Sequence, residues 1–309
     1  MDERYDVVVI GGGAAGLNGA LMLARSRRSV LVIDDGRPRN APAHGVHGLL
    51  GHEGMPPAEL LARGRDEVRS YGADVVSGTV TGVVGDGPGF TVTVADGSVV
   101  RTRRLLVTTG LVDELPPVPG LRERWGRDVL HCPYCHGWEV RDQAIGVLAG
   151  SARSVHQALL FRQLSDDVVY FTHESTLAAA ERAELAARGI PVVEGVVAAV
   201  ETVDDRLTGV RLADGTAVSR QALAVSTRLV GRADFLSGIG LPPVEHPSGS
   251  GVHLPVDALG RTQVPGVWAA GNVADPFAQV GAAAAAGAFA GAQINADLVA
   301  EETRAAVVA

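Results

Sequence analysis

The sequence contains no lysine: all 27 of its Lys+Arg positions are arginine. Arginine alone meets the need for surface cations, so we read the gap as compositional bias. Cysteine is almost as scarce, with Cys132 and Cys135 alone in 309 residues. Two cysteines exclude a disulfide framework and provide at most half of a thiolate zinc site. Aromatic residues make up 4% of the chain, and no basic patch interleaves with them. With a net charge of -8 and a pI near 5.6, these features argue against nucleic acid as a partner. No run approaches the ~20 strongly apolar residues of a membrane span. The start, Met1-Asp2-Glu3-Arg4, has no signal-peptide core. The expectation is a cytoplasmic protein with no membrane partner.

What the sequence does have is apolar content, 46% by residue, enough at this length for about two domains. The two cysteines form a CxxC within His131-Cys132-Pro133-Tyr134-Cys135-His136-Gly137-Trp138-Glu139. Such pairs often have a lowered thiol pKa and reversible redox chemistry. His136 follows directly, placed to move protons for a thiolate. A structural clip or half a zinc site are the bland alternatives, and a satisfied structural histidine is the bland reading of His136.

The N-terminal pattern is a dinucleotide-binding βαβ unit. Tyr5 to Ile10 reads as a buried parallel strand, Leu17 to Arg27 as a helix, and Val30 to Ile33 as a second strand ending on Asp34. Between them lies Gly11-Gly12-Gly13-Ala14-Ala15-Gly16. Gly11 makes the tight turn, Gly13 admits a pyrophosphate, and Gly16 allows close helix–strand packing. Asp34 stands where a carboxylate accepts hydrogen bonds from ribose. The histidine-bearing loop from Gly36 to Pro57 is too long to be idle in a compact domain, and His44, His47 and His52 fit no common metal spacing. We expect no metal. Met55 to Tyr71 reads as an amphipathic helix, and short strands and turns follow as far as Thr109-Gly110.

The second half repeats the layout with its fingerprint damaged. A strand, Ala144 to Leu148, leads through Ala149-Gly150-Ser151-Ala152-Arg153-Ser154 into a helix, Val155 to Leu164, and a strand, Asp167 to Phe171. Ala149 and Ser151 each add a Cβ where a pyrophosphate must approach. His173 and Glu174 occupy the place where an NADPH enzyme needs arginines for the 2′-phosphate. Ala178 to Arg188 reads as a helix, then Val192 to Thr202, Leu207 to Leu212 and Ala217 to Val225 as strands. Gly266 to Val273 is a strand running into a glycine turn, and Gln279 to Glu301 a long helix.

Together these residues resemble the low-molecular-weight thioredoxin reductases over nearly the full chain. Four motifs carry the likeness: Gly11 to Gly16; Thr108-Thr109-Gly110; the CxxC; and Gly266 to Val273 with Gln279-Val280. The resemblance implies an α/β fold of two Rossmann-like, three-layer domains. The FAD domain would be discontinuous, 1–116 and 233–309. The inserted domain, 117–232, would be a degenerate nucleotide-type domain carrying the CxxC. It implies bound FAD, held by Gly11, Gly13, Ala14, Ala15, Gly16, Asp34, Asp35, Arg39, Asn40, His47, Val80, Thr109, Gly110, Gly271, Asn272, Gln279 and Val280, and a homodimer.

The departures set the direction of electron flow. The family has an intact second fingerprint, an arginine pair, an aspartate where this chain has His136, and Gly-Asp where it has Gly271-Asn272. The signature Cys132 to Glu139 looks like that of the FAD-dependent dithiol oxidases of sulfur natural products, the dithiolopyrrolones and epidithiodiketopiperazines. The implied reaction closes a disulfide in a small-molecule dithiol and passes electrons to molecular oxygen, with Cys132, Cys135 and His136 as catalytic residues. A protein-disulfide reductase fed by NADPH or another donor, and a non-catalytic flavin redox sensor, are the competing readings.

Overall fold

The computed structural model describes residues 4–308. The chain divides into two compact units. One comprises Met1–Ala41, Gly48–Val112 and Leu229–Ala309, the other Pro42–His47 and Asp113–Arg228. The family resemblance implies borders at 116/117 and 232/233. The short segment Pro42–His47, inside the long loop, belongs with the second unit.

The first unit is built on a seven-stranded sheet. Strand β1 (Arg4–Ile10), helix α1 (Ala14–Arg25) and strand β2 (Val30–Asp34) form its opening βαβ. After α2 (Pro57–Ser70) come β3 (Asp74–Ser77), β4 (Val80–Asp86), β5 (Gly89–Val94) and β6 (Val99–Val107). The order is β3-β2-β1-β6-β5-β4, with Val267–Ala269 pairing to β6. β3, β2, β1 and β6 run parallel, while β4 and β5 form an antiparallel flap. Val7, Val8, Val9 and Ile10 are all buried, as a parallel strand covered on both faces requires. α1 and the C-terminal helix Val280–Val308 pack without a gap. A Cβ on Gly287 would stand 1.9 Å from the Ala15 carbonyl oxygen, and one on Gly291 2.6 Å from that of Gly19.

The second unit has a five-stranded parallel sheet, ordered Val192–Val193, Val168–Phe171, Ile145–Leu148, Ala222–Val225 and Val129–Leu130. A three-stranded antiparallel sheet, Val197–Val203, Arg206–Leu212 and Ala217–Ser219, accompanies it. Two expected strands are each broken in two. Val192 to Thr202 changes sheet at Gly195, whose φ of +117° turns the chain. Ala217 to Val225 breaks between Ser219 and Ala222, and its halves join different sheets. Among the described residues, no helix is long and apolar enough to cross a membrane.

Candidate active site

Cys132 and Cys135 are joined as a disulfide at the head of a one-turn helix, Pro133–His136. Pro133 supplies the fixed φ that suits a first helical position. The Cys135 amide donates to Cys132 Sγ at 3.1 Å, so a negative charge on that sulfur finds a donor in place. The turn closes when the His136 amide donates to the Cys132 carbonyl at 3.1 Å and the Gly137 amide to Pro133 at 2.9 Å. Gly137 is required here: a Cβ would stand 2.2 Å from the Pro133 oxygen and 2.3 Å from Leu164 Cδ1. Tyr134 and Trp138 are exposed on either side. Arg141 stacks on Trp138 at 4.2 Å and donates to its carbonyl.

The histidine beside the pair has company that sequence spacing did not reveal. Burial holds the His136 imidazole below its ordinary pKa; the Glu139 carboxylate opposes this, and His47 and His44 reinforce it. A neutral imidazole can accept a proton near pH 7. His47 Nε2 lies 3.4 Å from Glu139 Oε1. His44 and His47 reach this place because Pro42–His47 belongs to the CxxC unit. His47 is also one of the positions that the family resemblance implies for the flavin. His131 points elsewhere, its Nδ1 3.0 Å from the Val225 carbonyl. Among the described residues, no group of three His, Cys, Asp or Glu side chains could hold a metal ion.

The fingerprint of the first unit is an open cradle. Gly11, at φ +105°, packs so tightly on Thr108 that a Cβ would lie 2.4 Å from its oxygen. A Cβ on Gly16 would lie 1.9 Å from the Gly11 oxygen. At Gly13 a Cβ would meet nothing within 4 Å. Gly13 is the N-cap of α1 and has no side chain to engage the amides of the first turn, around Ala14 and Ala15. Asp34 Oδ1 accepts from the Gly12 amide at 3.0 Å. The C-terminal motif meets this cradle: a Cβ on Gly271 (φ +72°) would stand 2.9 Å from Ala15 Cβ.

The remaining sequence-predicted flavin positions have varied surroundings. Thr109 Oγ1 donates to the Arg232 carbonyl at 2.6 Å, and the Arg232 amide to that of Gly110 at 3.1 Å. Asp35 pairs with Arg37 at 2.7 Å and lies 3.6 Å from Arg232. Arg39 Nη1 donates to Pro276 at 3.4 Å, and Asn40 is half-buried in the turn that follows. The side-chain nitrogen of Asn272 donates to Ala278, Asp275 and Pro276 at 2.8, 3.1 and 3.4 Å. Gln279 precedes the C-terminal helix, Val280 begins it, and Val80 is buried at the start of β4.

The corresponding loop of the second unit is closed on itself. Ser154, fully buried, accepts from the Gly150 amide at 3.1 Å and the Ser151 amide at 3.2 Å. Its hydroxyl also lies 3.2 Å from that of Ser226, and Ser151 Oγ accepts from the Arg153 amide. Amides that would cradle a phosphate are thus engaged within the loop. His173 Nδ1 likewise accepts from the Val197 amide at 3.0 Å, and Glu174 is exposed.

The family model described as pyridine nucleotide-disulphide oxidoreductase matches residues 5–288. The crystal structure of HlmI superposes with a TM-score of 0.92 at 48% identity, covering 98% of this chain and 95% of that one. Thioredoxin reductase tcpT of Claviceps purpurea is 30% identical over 96% of this chain and 95% of its own. A probable thioredoxin reductase of Arthroderma benhamiae is 33% identical over 179 residues, 56% of this chain and 44% of that one. With two Rossmann-like units, an open fingerprint and a CxxC, the chain belongs to the pyridine nucleotide-disulphide oxidoreductase family and is thioredoxin reductase-like.

Proposed function

We propose that this protein is an FAD-dependent dithiol oxidase that closes an intramolecular disulfide in a small-molecule dithiol and reduces molecular oxygen to hydrogen peroxide. The observation that carries the reading is the contrast between the two loops. Gly13 leaves room for a pyrophosphate beside the first turn of α1, whereas in the second loop Ser154 holds the Gly150 and Ser151 amides and Ser151 holds that of Arg153. One dinucleotide fits, and the usual entry for a reducing nicotinamide is closed.

The residues of the first unit fit FAD. The Gly11–Gly16 turn and the first turn of α1 would hold the pyrophosphate, Asp34 the ribose, and the Gly271–Asn272 turn the remaining chain. When bound, FAD supplies a two-electron acceptor that oxygen can reoxidise. The protein's own residues do the sulfur chemistry. A substrate thiolate attacks Cys132 Sγ and expels Cys135 as a thiolate. The second substrate thiolate then attacks the substrate sulfur bound to Cys132, which releases the cyclic disulfide and the Cys132 thiolate. The Cys135 amide stabilises charge on Cys132, and neutral His136 receives the thiol proton. A homodimer working in the cytoplasm completes the reading.

The test is to follow the flavin absorbance anaerobically, adding NADPH first and then a small dithiol. Bleaching by the dithiol, with peroxide on readmitting air, is expected. Rapid bleaching by NADPH would overturn the reading in favour of a reductase; a flavin that neither donor bleaches would overturn it in favour of a sensor.

A further inference from the structure

Oxidising a dithiol removes two electrons and two protons. The Cys132–Cys135 disulfide takes both electrons, but a single imidazole holds only one of the protons. Resting on the oxidase reading, we propose that Glu139 and His47 are positioning residues that draw the first proton away from His136, so that it is neutral again for the second thiol. Three observations carry this. His47 Nε2 and Glu139 Oε1 are 3.4 Å apart. Glu139 follows His136 by three residues, across the tight Gly137 turn, and its carboxylate bears on that imidazole. The pair is open to water, with 23% of the His47 side chain and 37% of the Glu139 side chain exposed, whereas burial is the main influence on His136.

The balance closes. The first thiol proton goes to His136 as the first thiolate adds to Cys132. It then passes through solvent to the exposed His47–Glu139 pair. His136 then takes the second proton as the cyclic disulfide leaves. Bound FAD would supply the path by which the two electrons reach oxygen, where two protons complete hydrogen peroxide. The charged groups facing His136 are Glu139, which favours its imidazolium, and His47 and His44, which oppose it. His131 Nδ1 is turned to the Val225 carbonyl. This assignment gives the segment Pro42–His47 a reason to belong with the CxxC unit rather than with the rest of its loop.

The experiment uses the flavin-loaded protein and the variants Glu139→Gln, Glu139→Asp and His47→Gln. Two quantities are read: the anaerobic rate of flavin bleaching by dithiothreitol across pH, and the titration midpoint of the His136 imidazole by NMR, its signal identified by its loss in His136→Asn. Both Glu139→Gln and His47→Gln should slow bleaching by about 10²-fold, the lower end of what a positioned base contributes. Their His136 midpoints should move in opposite directions, down in Glu139→Gln and up in His47→Gln, a pattern that general loosening of the fold does not produce. Glu139→Asp keeps the charge and should restore both readouts. Wild-type rates, or midpoints that stay put, in Glu139→Gln and His47→Gln would overturn the proposal. If dithiothreitol fails to bleach even the unaltered protein, the oxidase reading itself falls, while the NMR titrations still judge the coupling.

Discussion

The buried hydroxyl of Ser154 accepts the Gly150 amide at 3.1 Å, so the loop that should bind a second dinucleotide binds its own side chain. The same hydroxyl begins a chain through Ser226 and Gln157 to the carbonyl of His131, the residue before Cys132. The closed loop is thereby part of the scaffold under the disulfide. Ser154→Ala leaves two amides and the Ser226 hydroxyl without that partner, which should cost about 1–3 kcal/mol. Urea denaturation of the loaded protein measures the loss. NADPH should still fail to bleach the flavin, because His173 and Glu174 remain. Adding Ala149→Gly, Ser151→Gly, His173→Arg and Glu174→Arg should open an NADPH route. Bleaching by NADPH in Ser154→Ala alone would show that one hydroxyl was the whole barrier.

The C-terminal helix gives a second contrast. Gly287→Ala would set a methyl 1.9 Å from the Ala15 carbonyl oxygen, and backbone cannot step aside as a side chain can. Overpacking of this kind costs about 1–3 kcal/mol. It also pushes on the first turn of α1, so flavin occupancy after purification should fall. Gly281 lies in the same helix, where a Cβ would come no closer than 3.7 Å, to Leu49. Gly281→Ala should be neutral or stabilising by up to about 1 kcal/mol, from helix propensity. Equal losses in both variants would remove the packing argument.

Much of this arrangement is legible in the sequence, for reasons of range. Gly11 to Gly16 and the CxxC are local patterns, each set by what a few neighbouring residues must do. The break at Gly195 is harder to see, because a single positive φ redirects a run that otherwise reads as one strand. Glu139 and His47 are harder still. They stand 92 positions apart, and only the assignment of Pro42–His47 to the second unit brings them together. Missing glycines at Ala149 and Ser151 are visible in the sequence; that Ser154 would turn its hydroxyl onto the vacated amides is a tertiary fact.

Asn272 carries a prediction against the family pattern. Its side-chain nitrogen donates to three carbonyls of the 275–278 turn. Aspartate has the same shape and cannot donate. Asn272→Asp should therefore destabilise the turn by about 1–3 kcal/mol, as carbonyls lose their donor and face a carboxylate instead. It should also weaken flavin retention, read as the ratio of flavin to protein absorbance after gel filtration. Unchanged retention and melting temperature in Asn272→Asp would mean that the donated bonds contribute nothing to the turn.

Acid should release the C-terminal helix first. Arg103 bonds Asp6, Glu301 and Glu302; Arg104 bonds Asp297 and Glu301; and Arg28 bonds Glu302. Hydrogen bonds from Arg28 and Arg103 hold the Glu302 carboxyl down to about 2, and Arg103 and Arg104 hold Glu301 below its ordinary value. A carboxylate whose pKa is depressed by folding contributes stability above its unfolded pKa and loses it as pH falls toward the folded one. The contribution of this network is therefore complete above about pH 4.5 and is lost between there and about pH 2. Thermal melts across that window should show the decline in the unaltered protein, and Glu301→Gln with Glu302→Gln should flatten it while lowering the melting temperature at pH 7. High salt should weaken the effect only in part, because Arg104 is nine-tenths buried and screening acts chiefly on exposed pairs. A melting curve of the double variant that keeps the full acid slope would place the acid-labile contacts elsewhere in the chain.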